Sequence, residues 1–386
     1  MKLAVPREIQ VGERRVALTP DSCKRLTKLG VQVAIERGAG ESAYLPDEAY
    51  QSAGATVERD VAALLGAADF VVKVQPPMQH PSLARHEAEL LKSGAFLLTT
   101  LAPTRNLEAV QKLMQRGVTA LSTDLIPRIT RAQSMDTLSS MANIAGYRAV
   151  LIAALELPKY FPMFMTAAGT VLAAKVFVIG AGVAGLQAIA TAKRLGAIVE
   201  ATDTRPAVRE QIESLGGRWV GVETAESAQD AGGYAKELSA DFYRKQAELI
   251  GQRCAANDAV ITTALIGGIK APRLITADMV HGMKPGSIIV DVAAERGGNC
   301  ELTQPGKTIE VNGVKICGPA NLPADMPLHA STLYSKNIET LIAAFTKDGV
   351  FAFNLEDEIL KGCTVTHQGA ILHVPTREAF NADVKT

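Results

Sequence analysis

A glycine-rich segment in the middle of the chain has the spacing needed to hold a phosphate group. Gly180, Gly182 and Gly185 form the pattern G-x-G-x-x-G, directly after an apolar run at residues 175–179 and at the start of a helical pattern at residues 183–195. In this context the first glycine permits a tight turn, the second lets backbone approach a pyrophosphate, and the third lets the helix pack closely on the strand. The helix N-terminus offers N–H groups to the phosphates. The segment therefore predicts a dinucleotide site.

An acidic residue follows the next predicted strand, at residues 198–202. Asp203 is placed to accept hydrogen bonds from the adenosine ribose hydroxyls, and its charge would oppose a 2′-phosphate by roughly 4 kcal/mol at ~4 Å. This favours NAD over NADP. Arg205 lies close by and could accommodate the extra phosphate, and Asp203 could instead be a helix cap, so both alternatives stay open.

A second group of polar residues lies at residues 127–139. Gln133, Asp136 and Ser139 are spaced by three, which predicts one face of a helix start. An amide there could hold a nicotinamide carboxamide, and a carboxylate with an arginine could fix a ribose. The alternative is helix capping by Ser134 and ordinary surface charge.

The elements that must position these residues form two predicted series of alternating strands and helices. Alternation of this kind predicts an α/β fold with two Rossmann-like, doubly wound parallel-sheet domains, and a long helix at residues 134–155 joins them. The predicted strands of the two series are 2–5, 31–35, 70–74, 95–99, 119–122, 176–179, 198–202, 259–263, 287–291 and 314–317.

We expect a discontinuous first domain, residues 1–135 plus 312–386, around a second NAD-binding domain at 136–311. The tail at residues 354–373 predicts two short strands, and a helix is expected near residues 335–346. Residues 222–236 have little periodicity and predict a mobile loop.

Composition restricts the class of protein. Lys+Arg and Asp+Glu are both 40, so the chain lacks the basic excess of a nucleic-acid or acidic-lipid binder. The five cysteines are far apart, which argues against a metal site and suits a reducing cytoplasm. Residues 161–192 contain only Lys175 as a charge, but a strand, a glycine turn and a helix explain them better than a membrane span.

Several segments resemble the NAD(H)-binding component of proton-translocating nicotinamide nucleotide transhydrogenases, a family related to alanine dehydrogenases. The resemblance covers nearly the whole chain. It rests on residues 175–192 (KVFVIGAGVAGLQAIATA), 128–136 (RITRAQSMD), 231–236 (AGGYAK), 165–170 (MTAAGT) and 283–287 (MKPGS).

This resemblance implies hydride transfer from NADH to NADP⁺, coupled to proton translocation by separate membrane subunits. It implies that NADP(H) is held on a partner component, that a transmembrane component is another partner, and that this component is a homodimer with no membrane span of its own, attached peripherally to the cytoplasmic membrane. Hydride passing directly between two nicotinamides requires alignment and exclusion of water rather than a general acid or base.

The resemblance also implies which residues contact NAD(H). They match Arg128, Ile129, Thr130, Arg131, Gln133, Asp136, Ser139, Val183, Asp203, Thr204, Arg205, Gly233, Gln246 and Leu265. Of these, Arg128, Gln133, Asp136 and Ser139 are the candidates for catalysis, together with Tyr234, which matches the tyrosine of a mobile loop that closes over the nucleotide. From the residues alone Tyr234 could be a surface tyrosine, Gln246 polar helix surface, and Leu265 the end of a strand.

Two other functions remain open. An alanine dehydrogenase shares residues 6–8 and 15–20, and in that family Arg15 and Lys73 match the residues that hold a keto acid. The alanine dehydrogenase family also uses a histidine after the fourth strand, where this chain has residues 97–102 (LLTTLA). His80 and His86 lie upstream and are expected to be solvated. Lys73 is then a structural remnant or part of an ion pair. The second alternative is a non-catalytic NAD-binding module.

Overall fold

The computed structural model of the chain describes residues 1–222, 239–265 and 271–383. It divides into two compact units. The first unit comprises residues 1–141 and 324–386, and the second comprises residues 142–323.

The first unit begins with alternating strands and helices. Its central strands are apolar and mostly buried, as in β4, where Phe70, Val71 and Val72 have no exposed surface. The elements in chain order are β1 Lys2–Val5, α1 Pro20–Lys28, β2 Gln32–Glu36, α2 Asp47–Ser52, β3 Thr56–Glu58, α3 Val61–Ala67, β4 Phe70–Val72, α4 Glu87–Leu90, β5 Phe96–Thr99, α5 Leu107–Gln115 and β6 Thr119–Ser122.

A long helix then crosses the boundary between the units, and a second series of strands and helices follows. In chain order these are α6 Thr137–Glu156, β7 Phe164–Thr166, β8 Gly169–Val171, β9 Lys175–Ile179, α7 Val183–Arg194, β10 Ile198–Thr202, α8 Val208–Ser214, β11 Arg218–Trp219, α9 Ala240–Ala256, β12 Ala259–Thr262, α10 Ala277–His281, β13 Ile288–Asp291, β14 Lys307–Val311 and β15 Val314–Gly318.

The chain then returns to the first unit. The elements there are α11 Pro327–Ala344, β16 Thr346–Lys347, β17 Val350–Phe351, α12 Glu358–Cys363, β18 Thr364–His367, β19 Ala370–Ile371 and α13 Val374–Asp383. The predicted helix near residues 335–346 therefore begins earlier, at Pro327, and the two strands predicted within 354–373 are β18 and β19.

Each unit is built around a doubly wound sheet. The eight-stranded first sheet has the order β19-β18-β6-β5-β4-β1-β2-β3, and the seven-stranded second sheet has the order β11-β10-β9-β12-β13-β15-β14. Strands β1 to β6 are parallel to their neighbours, as are β9 to β13 and β15, while β18, β19 and β14 add antiparallel edges. The predicted fold class, two Rossmann-like parallel sheets with a long helix between them in the chain, is confirmed.

The strand order of each sheet reverses beside its first strand. In the first sheet this point lies between β1 and β4, and in the second it lies between β9 and β12. Ligands of open α/β sheets bind in the crevice outside the carboxyl ends of the strands at such a point. The topology therefore gives each unit one position where a ligand could bind.

The boundary predicted at residue 312 is too early. Strand β15 pairs in parallel with β13 and so extends the second sheet. Asn312 and Gly313 have φ angles of 51° and 75°, which suit the two-residue hairpin turn that an Asn-Gly pair favours. This turn brings the chain back beside β14, and the return to the first unit comes only after β15.

Within the apolar stretch, residues 175–192 form the predicted strand, glycine turn and helix, but residues 164–171 of the same stretch form a hairpin of β7 and β8 that was not predicted. Among the described residues, α6 is the one helix long and apolar enough to cross a membrane by length and composition, which is weak support for a span. Its residues Ala149, Val150 and Ala153 are fully buried in the core of the second unit.

The starts of α1 and α6 differ in their capping. Thr19 precedes α1, but its hydroxyl lies 3.2 Å from the Ser335 hydroxyl and makes no capping bond. Asp136, rather than Ser134, caps α6, because its carboxylate accepts from the backbone N–H of Ser139 at 2.9 Å and from the Ser139 hydroxyl at 2.6 Å.

Candidate dinucleotide-binding site

The glycine turn of the second unit lies directly on the end of strand β12. Gly180 has a φ angle of +88°, and a Cβ atom at this position would lie 3.0 Å from Thr263 Oγ1 and 3.1 Å from the Ala264 nitrogen. A Cβ atom at Gly185 would overlap the Gly180 carbonyl oxygen. Both positions therefore require glycine for the reasons that the motif predicts, a tight turn and close packing of helix on strand.

Gly182 differs from the other two glycines, because a Cβ atom there would meet no atom of the described residues within 4 Å. Its φ angle is ordinary, so the fold itself does not require glycine at this position. The open space lies at the start of α7, where the first N–H groups have no partner within the helix. Space beside a helix N-terminus fits the approach of a pyrophosphate, and the residues present therefore fit a dinucleotide.

Asp203 is held rigidly beside this turn. Its carboxylate accepts a hydrogen bond from the Ala181 N–H at 2.8 Å and one from the Arg205 N–H at 2.9 Å. The Arg205 guanidinium also pairs with it through Nε at 2.9 Å and Nη2 at 3.0 Å, and this bond raises the pKa of Arg205 above its ordinary value. Asp203 thus connects the glycine turn to the end of β10.

This pairing changes the electrostatic argument for cofactor choice. A repulsion of roughly 4 kcal/mol between Asp203 and a 2′-phosphate assumes a carboxylate without a counter-charge. Here Arg205 supplies that counter-charge in direct contact. Charge repulsion by Asp203 is therefore a weaker ground for preferring NAD than the sequence indicates, and hydrogen bonding to the ribose has to carry more of the preference.

The other predicted contacts of the second unit lie on two helices and on the segments that follow two strands. Val183 is the exposed first residue of α7, Thr204 is half-buried between Asp203 and Arg205, and Leu265 is half-buried. Leu265 does not end a strand, because β12 ends at Thr262. Gln246 is not helix surface either: it is buried, on the same face of α9 as other buried side chains.

The polar segment of the first unit has a different structure from the single helix face that its spacing predicts. Residues Thr130–Met135 form a 3₁₀ helix that contains Gln133, and Asp136 and Ser139 belong to the start of α6. Arg131 forms a 2.7 Å ion pair with Asp357. The side chains of Arg128, Thr130, Arg131 and Gln133 are exposed, and those of Ile129, Asp136 and Ser139 are half-buried.

Two of the predicted site residues, Gly233 and Tyr234, lie outside the described residues, as does most of the loop predicted at residues 222–236. The predicted role of Tyr234 in closing over the nucleotide stays a prediction.

The first unit places buried ion pairs at the corresponding position of its own sheet. Lys73 follows β4 and contacts Glu87 at 2.7 Å and Glu8 at 3.5 Å, and all three side chains are almost completely buried. The Glu8 carboxylate also accepts from the Val74 N–H at 2.5 Å. Burial raises the pKa of Glu8 to about 7, although Lys73 opposes this shift.

Arg15 also forms a buried ion pair with a glutamate. Its guanidinium donates to both carboxylate oxygens of Glu13, at 2.8 and 2.6 Å, and Gln75 donates to Glu13 at 2.7 Å. Burial opposes ionisation of Glu13, but Arg15 lowers the pKa of Glu13 to about 2. Carboxylates of the chain itself thus contact both residues that match the keto-acid ligands of alanine dehydrogenases.

The two histidines upstream of β5 are not solvated as expected. His80 and His86 are 8% and 4% exposed, and each accepts a backbone N–H through Nδ1, from Ser82 and Ala88 respectively. These contacts hold the turn that carries Glu87 towards Lys73.

Sequence reasoning missed the residues that hold the end of β12 against the glycine turn. Thr263 donates its hydroxyl to the Gly180 carbonyl at 2.9 Å. The side chain of Asn299 accepts from the Ala264 N–H at 3.0 Å and donates to the Ala264 carbonyl at 2.9 Å. Asn299 follows two glycines in a turn-rich stretch, and nothing in its spacing separates it from other loop residues.

The fold and the glycine turn define a dinucleotide-binding protein of the doubly wound class. The sequence matches the family of the alanine dehydrogenase/PNT N-terminal domain over residues 4–145 and that of the alanine dehydrogenase/PNT C-terminal domain over residues 149–374. The chain belongs to this alanine dehydrogenase/PNT family.

Three comparisons indicate the branch of the family. An NAD(P) transhydrogenase subunit alpha protein of Rhodospirillum rubrum is 50% identical over 97% of this chain and 98% of its own length. A crystal structure of transhydrogenase from Sinorhizobium meliloti is 45% identical, with a TM-score of 0.86, over 96% of this chain and 100% of its own. The alanine dehydrogenase of Halomonas elongata is 31% identical over 99% of this chain and 98% of its own. These matches support an oxidoreductase role as a transhydrogenase component.

Proposed function

We propose that this chain is the NAD(H)-binding component of a proton-translocating NAD(P)⁺ transhydrogenase. NADH binds in the crevice beside Gly180, Gly182 and Gly185 and gives a hydride to NADP⁺ held on a separate component. A transmembrane component couples this transfer to proton passage, and the present chain is attached to the cytoplasmic face of the membrane through its partners, without a span of its own.

The observation that carries the proposal is the difference between the two sheets. At the carboxyl edge of the second sheet, an added Cβ on Gly182 would meet no atom within 4 Å in the part of the chain that the structure describes. The corresponding edge of the first sheet contains Lys73, Arg15 and their carboxylate partners. The chain therefore offers space for a dinucleotide, whereas its two matched keto-acid ligands are already paired with buried glutamates.

The predicted contacts of the first unit are proposed to hold the nicotinamide end of the nucleotide. Gln133 is exposed and can donate its amide, and Asp136 and Ser139 are joined by a 2.6 Å hydrogen bond that orients both. Arg128 adds a cation beside them in the sequence. These groups bind and orient; none of them has to move a proton, because the hydride passes from one nicotinamide to another.

We also propose that the chain forms a homodimer. The hairpin of β7 and β8 exposes apolar side chains in the second unit: Met165 is 82% exposed, Leu172 is 74% exposed, and Tyr160 stacks edge-on against Phe164 with ring centroids 4.9 Å apart. Apolar side chains grouped in this way are typical of an association surface. Analytical sedimentation gives the mass in solution of the wild type and of Met165→Glu. The variant is expected to be the lighter species, and equal masses would contradict a dimer through the hairpin.

The function is tested with the purified chain in three assays. NADH and NADPH binding is measured from nucleotide fluorescence, and hydride transfer to an NADP⁺ analogue is measured with and without an NADP(H)-binding component. Oxidation of NADH by pyruvate and ammonia is measured separately. We expect NADH binding, transfer only when the partner is present, and no reaction with pyruvate. Turnover of pyruvate by the isolated chain would identify an alanine dehydrogenase, and binding without transfer under any combination would identify a non-catalytic module.

A further inference from the structure

Asn299 occupies a central position at the carboxyl edge of the second sheet. It follows β13, and its side chain has no exposed surface. Besides its two bonds to Ala264, the amide nitrogen donates to the Pro272 carbonyl at 2.8 Å. Its backbone carbonyl accepts from the N–H groups of Leu274 and Ile275 at 2.8 and 3.0 Å. One buried residue therefore ties the segment after β12 to the segment that begins at Pro272.

The segment that carries Asn299 is itself fixed by a buried carboxylate. Asp291, the last residue of β13, is completely buried and accepts from the Cys300 N–H at 3.0 Å and the Thr303 hydroxyl at 2.7 Å. Its other oxygen accepts from the Thr262 hydroxyl at 3.0 Å and the Ala293 N–H at 3.1 Å. Asp291 therefore anchors Cys300 and Thr303, which follow Asn299 in the chain, to the ends of β12 and β13.

The residue that Asn299 holds is in contact with the glycine turn. Ala264 approaches Gly180 so closely that a Cβ atom on Gly180 would lie 3.1 Å from its nitrogen and 3.2 Å from its Cα. Strands β9 and β12 are the two neighbours at which the order of the second sheet reverses, so the backbone after β12 forms one wall of the ligand crevice. The position of this wall is set by the Asn299 amide together with the Thr263 hydroxyl, which donates to the Gly180 carbonyl.

We propose that Asn299 is a positioning residue for the NAD(H) site, which places the Ala264–Leu265 backbone as a wall of the crevice beside the glycine turn. This inference rests on the proposed binding of NAD(H) by the second unit. Asn299 touches no nucleotide in this account; it acts through Ala264.

The chemistry of the site requires an amide. Ala264 presents both an N–H and a carbonyl, and Pro272 presents a second carbonyl, so the side chain must accept one hydrogen bond and donate two. Among side chains of this size, asparagine alone offers one acceptor and two donors from the same end. An aspartate would direct a charge at two carbonyl oxygens, and an alanine would leave three backbone groups of the half-buried residues Ala264 and Pro272 without this partner.

The experiment compares two buried asparagines at opposite ends of strand β12. Asn257 precedes the strand, is 1% exposed, and donates to the Arg253 carbonyl at 2.8 Å. Asn257→Ala therefore also removes a buried amide from the second unit, but at the edge remote from the crevice. The dissociation constant for NADH is measured by fluorescence, and the melting temperature is measured for each full-length protein without nucleotide.

We expect both variants to melt at a lower temperature, because each loses buried hydrogen bonds. Asn299→Ala is expected to weaken NADH binding by about tenfold or more, while Asn257→Ala keeps the wild-type dissociation constant within about twofold. Asn299→Ser, whose hydroxyl can restore one bond to Ala264, is expected to fall between wild type and Asn299→Ala. If Asn299→Ala does not fold, the dissociation constant of Asn299→Ser for NADH tests the proposal in its place.

The outcomes separate this inference from the proposed function. If the wild type does not bind NADH, the proposed function is wrong and the positioning role is wrong with it. If the wild type binds and the Asn299 variants bind equally well, the positioning role alone is overturned and Asn299 is merely structural. Equal weakening by Asn257→Ala would also overturn it, because general destabilisation would then explain both results.

Discussion

The two doubly wound sheets of this chain carry different groups at the position where their strand order reverses. In the second sheet the position beside β9 and β12 carries the glycine turn, and the groups that approach Gly180 most closely are the Thr263 hydroxyl and the backbone of Ala264. In the first sheet the position beside β1 and β4 contains the Lys73 ammonium, two glutamate carboxylates and the hydroxyl of Tyr334, which donates to the Lys73 carbonyl at 2.8 Å.

This difference teaches that strand order creates a possible site and that the residues after the strands decide its use. Glycine leaves room for a ligand and exposes backbone N–H groups to it. Buried ion pairs instead occupy the room and satisfy one another, at a cost in desolvation that their mutual attraction only partly offsets. The charged groups after the first sheet are therefore bound to one another, whereas the second sheet carries the glycine turn of the proposed nucleotide site.

The largest effect is expected from breaking the ion pairs of the first sheet. Lys73→Met leaves Glu8 and Glu87 buried without their cation, and loss of one partner from a buried pair costs about 3–5 kcal/mol. Denaturant unfolding measures this loss. Lys92→Met is the control, because the Lys92–Asp69 pair is about half exposed and should cost less than about 1 kcal/mol. Equal losses in the two variants would contradict the comparison.

The protonation of Glu8 predicts a pH dependence of stability with a definite sign. Burial raises the pKa of Glu8 from 4.5 to about 7, so the folded protein binds a proton that the unfolded chain releases between these values. This contribution to the free energy of unfolding is complete below about pH 4.5 and is lost as the pH rises through 7, at most about 3 kcal/mol for such a shift.

Glu8→Gln removes this titration while keeping a side-chain oxygen that can accept from Val74. The difference in unfolding free energy between wild type and variant should therefore move in favour of the wild type as the pH is lowered from 7.5 to 5. Lys73, Glu87 and Glu13 face the same carboxylate and are unchanged in both proteins. A difference that is constant across this range would show that Glu8 titrates normally.

A smaller effect, on binding alone, is expected at the open glycine. Gly182→Ala adds a methyl group where the protein has space and an ordinary φ angle, so the melting temperature should hardly change. The methyl group would meet the pyrophosphate, and NADH affinity should fall about tenfold, or about 1.4 kcal/mol. Gly282→Ala, at a glycine remote from the turn with ordinary contacts, is the control and should bind NADH normally. Unchanged affinity in Gly182→Ala would place the pyrophosphate elsewhere.

The smallest effect is expected for cofactor choice at Asp203. Since Arg205 already balances its charge, Asp203→Asn should improve NADPH binding only a few-fold, by about 1 kcal/mol or less. Asp258→Asn, at the other end of β12 and paired with Lys159, should not change the ratio of NADPH to NADH affinity. A thousandfold gain in NADPH affinity for Asp203→Asn would show that charge repulsion by Asp203 is the source of the preference for NAD.

Much of the architecture follows from local patterns in the sequence. The alternation of apolar runs with helical periods determined the two parallel sheets, and the spacing of Gly180, Gly182 and Gly185 between a strand and a helix determined the dinucleotide turn. These features depend on residues close together in the chain, where backbone geometry and apolar periodicity act directly. The Asn312-Gly313 pair carried an equally local signal for the hairpin that extends the second sheet.

Only the tertiary structure decided what each charged or polar residue does. Lys73 is buried because Glu8 and Glu87 are brought to it from other parts of the chain. Arg15, His80 and His86 bond to groups only two residues away, but the fold decides that they are buried, and Arg205 pairs with Asp203 within one turn. Asn299 reaches Ala264 across thirty-five positions of sequence. A sequence records which groups are available, but hydrogen bonds and ion pairs form between groups that the sheet topology brings together, and their number and burial set the free energy of each.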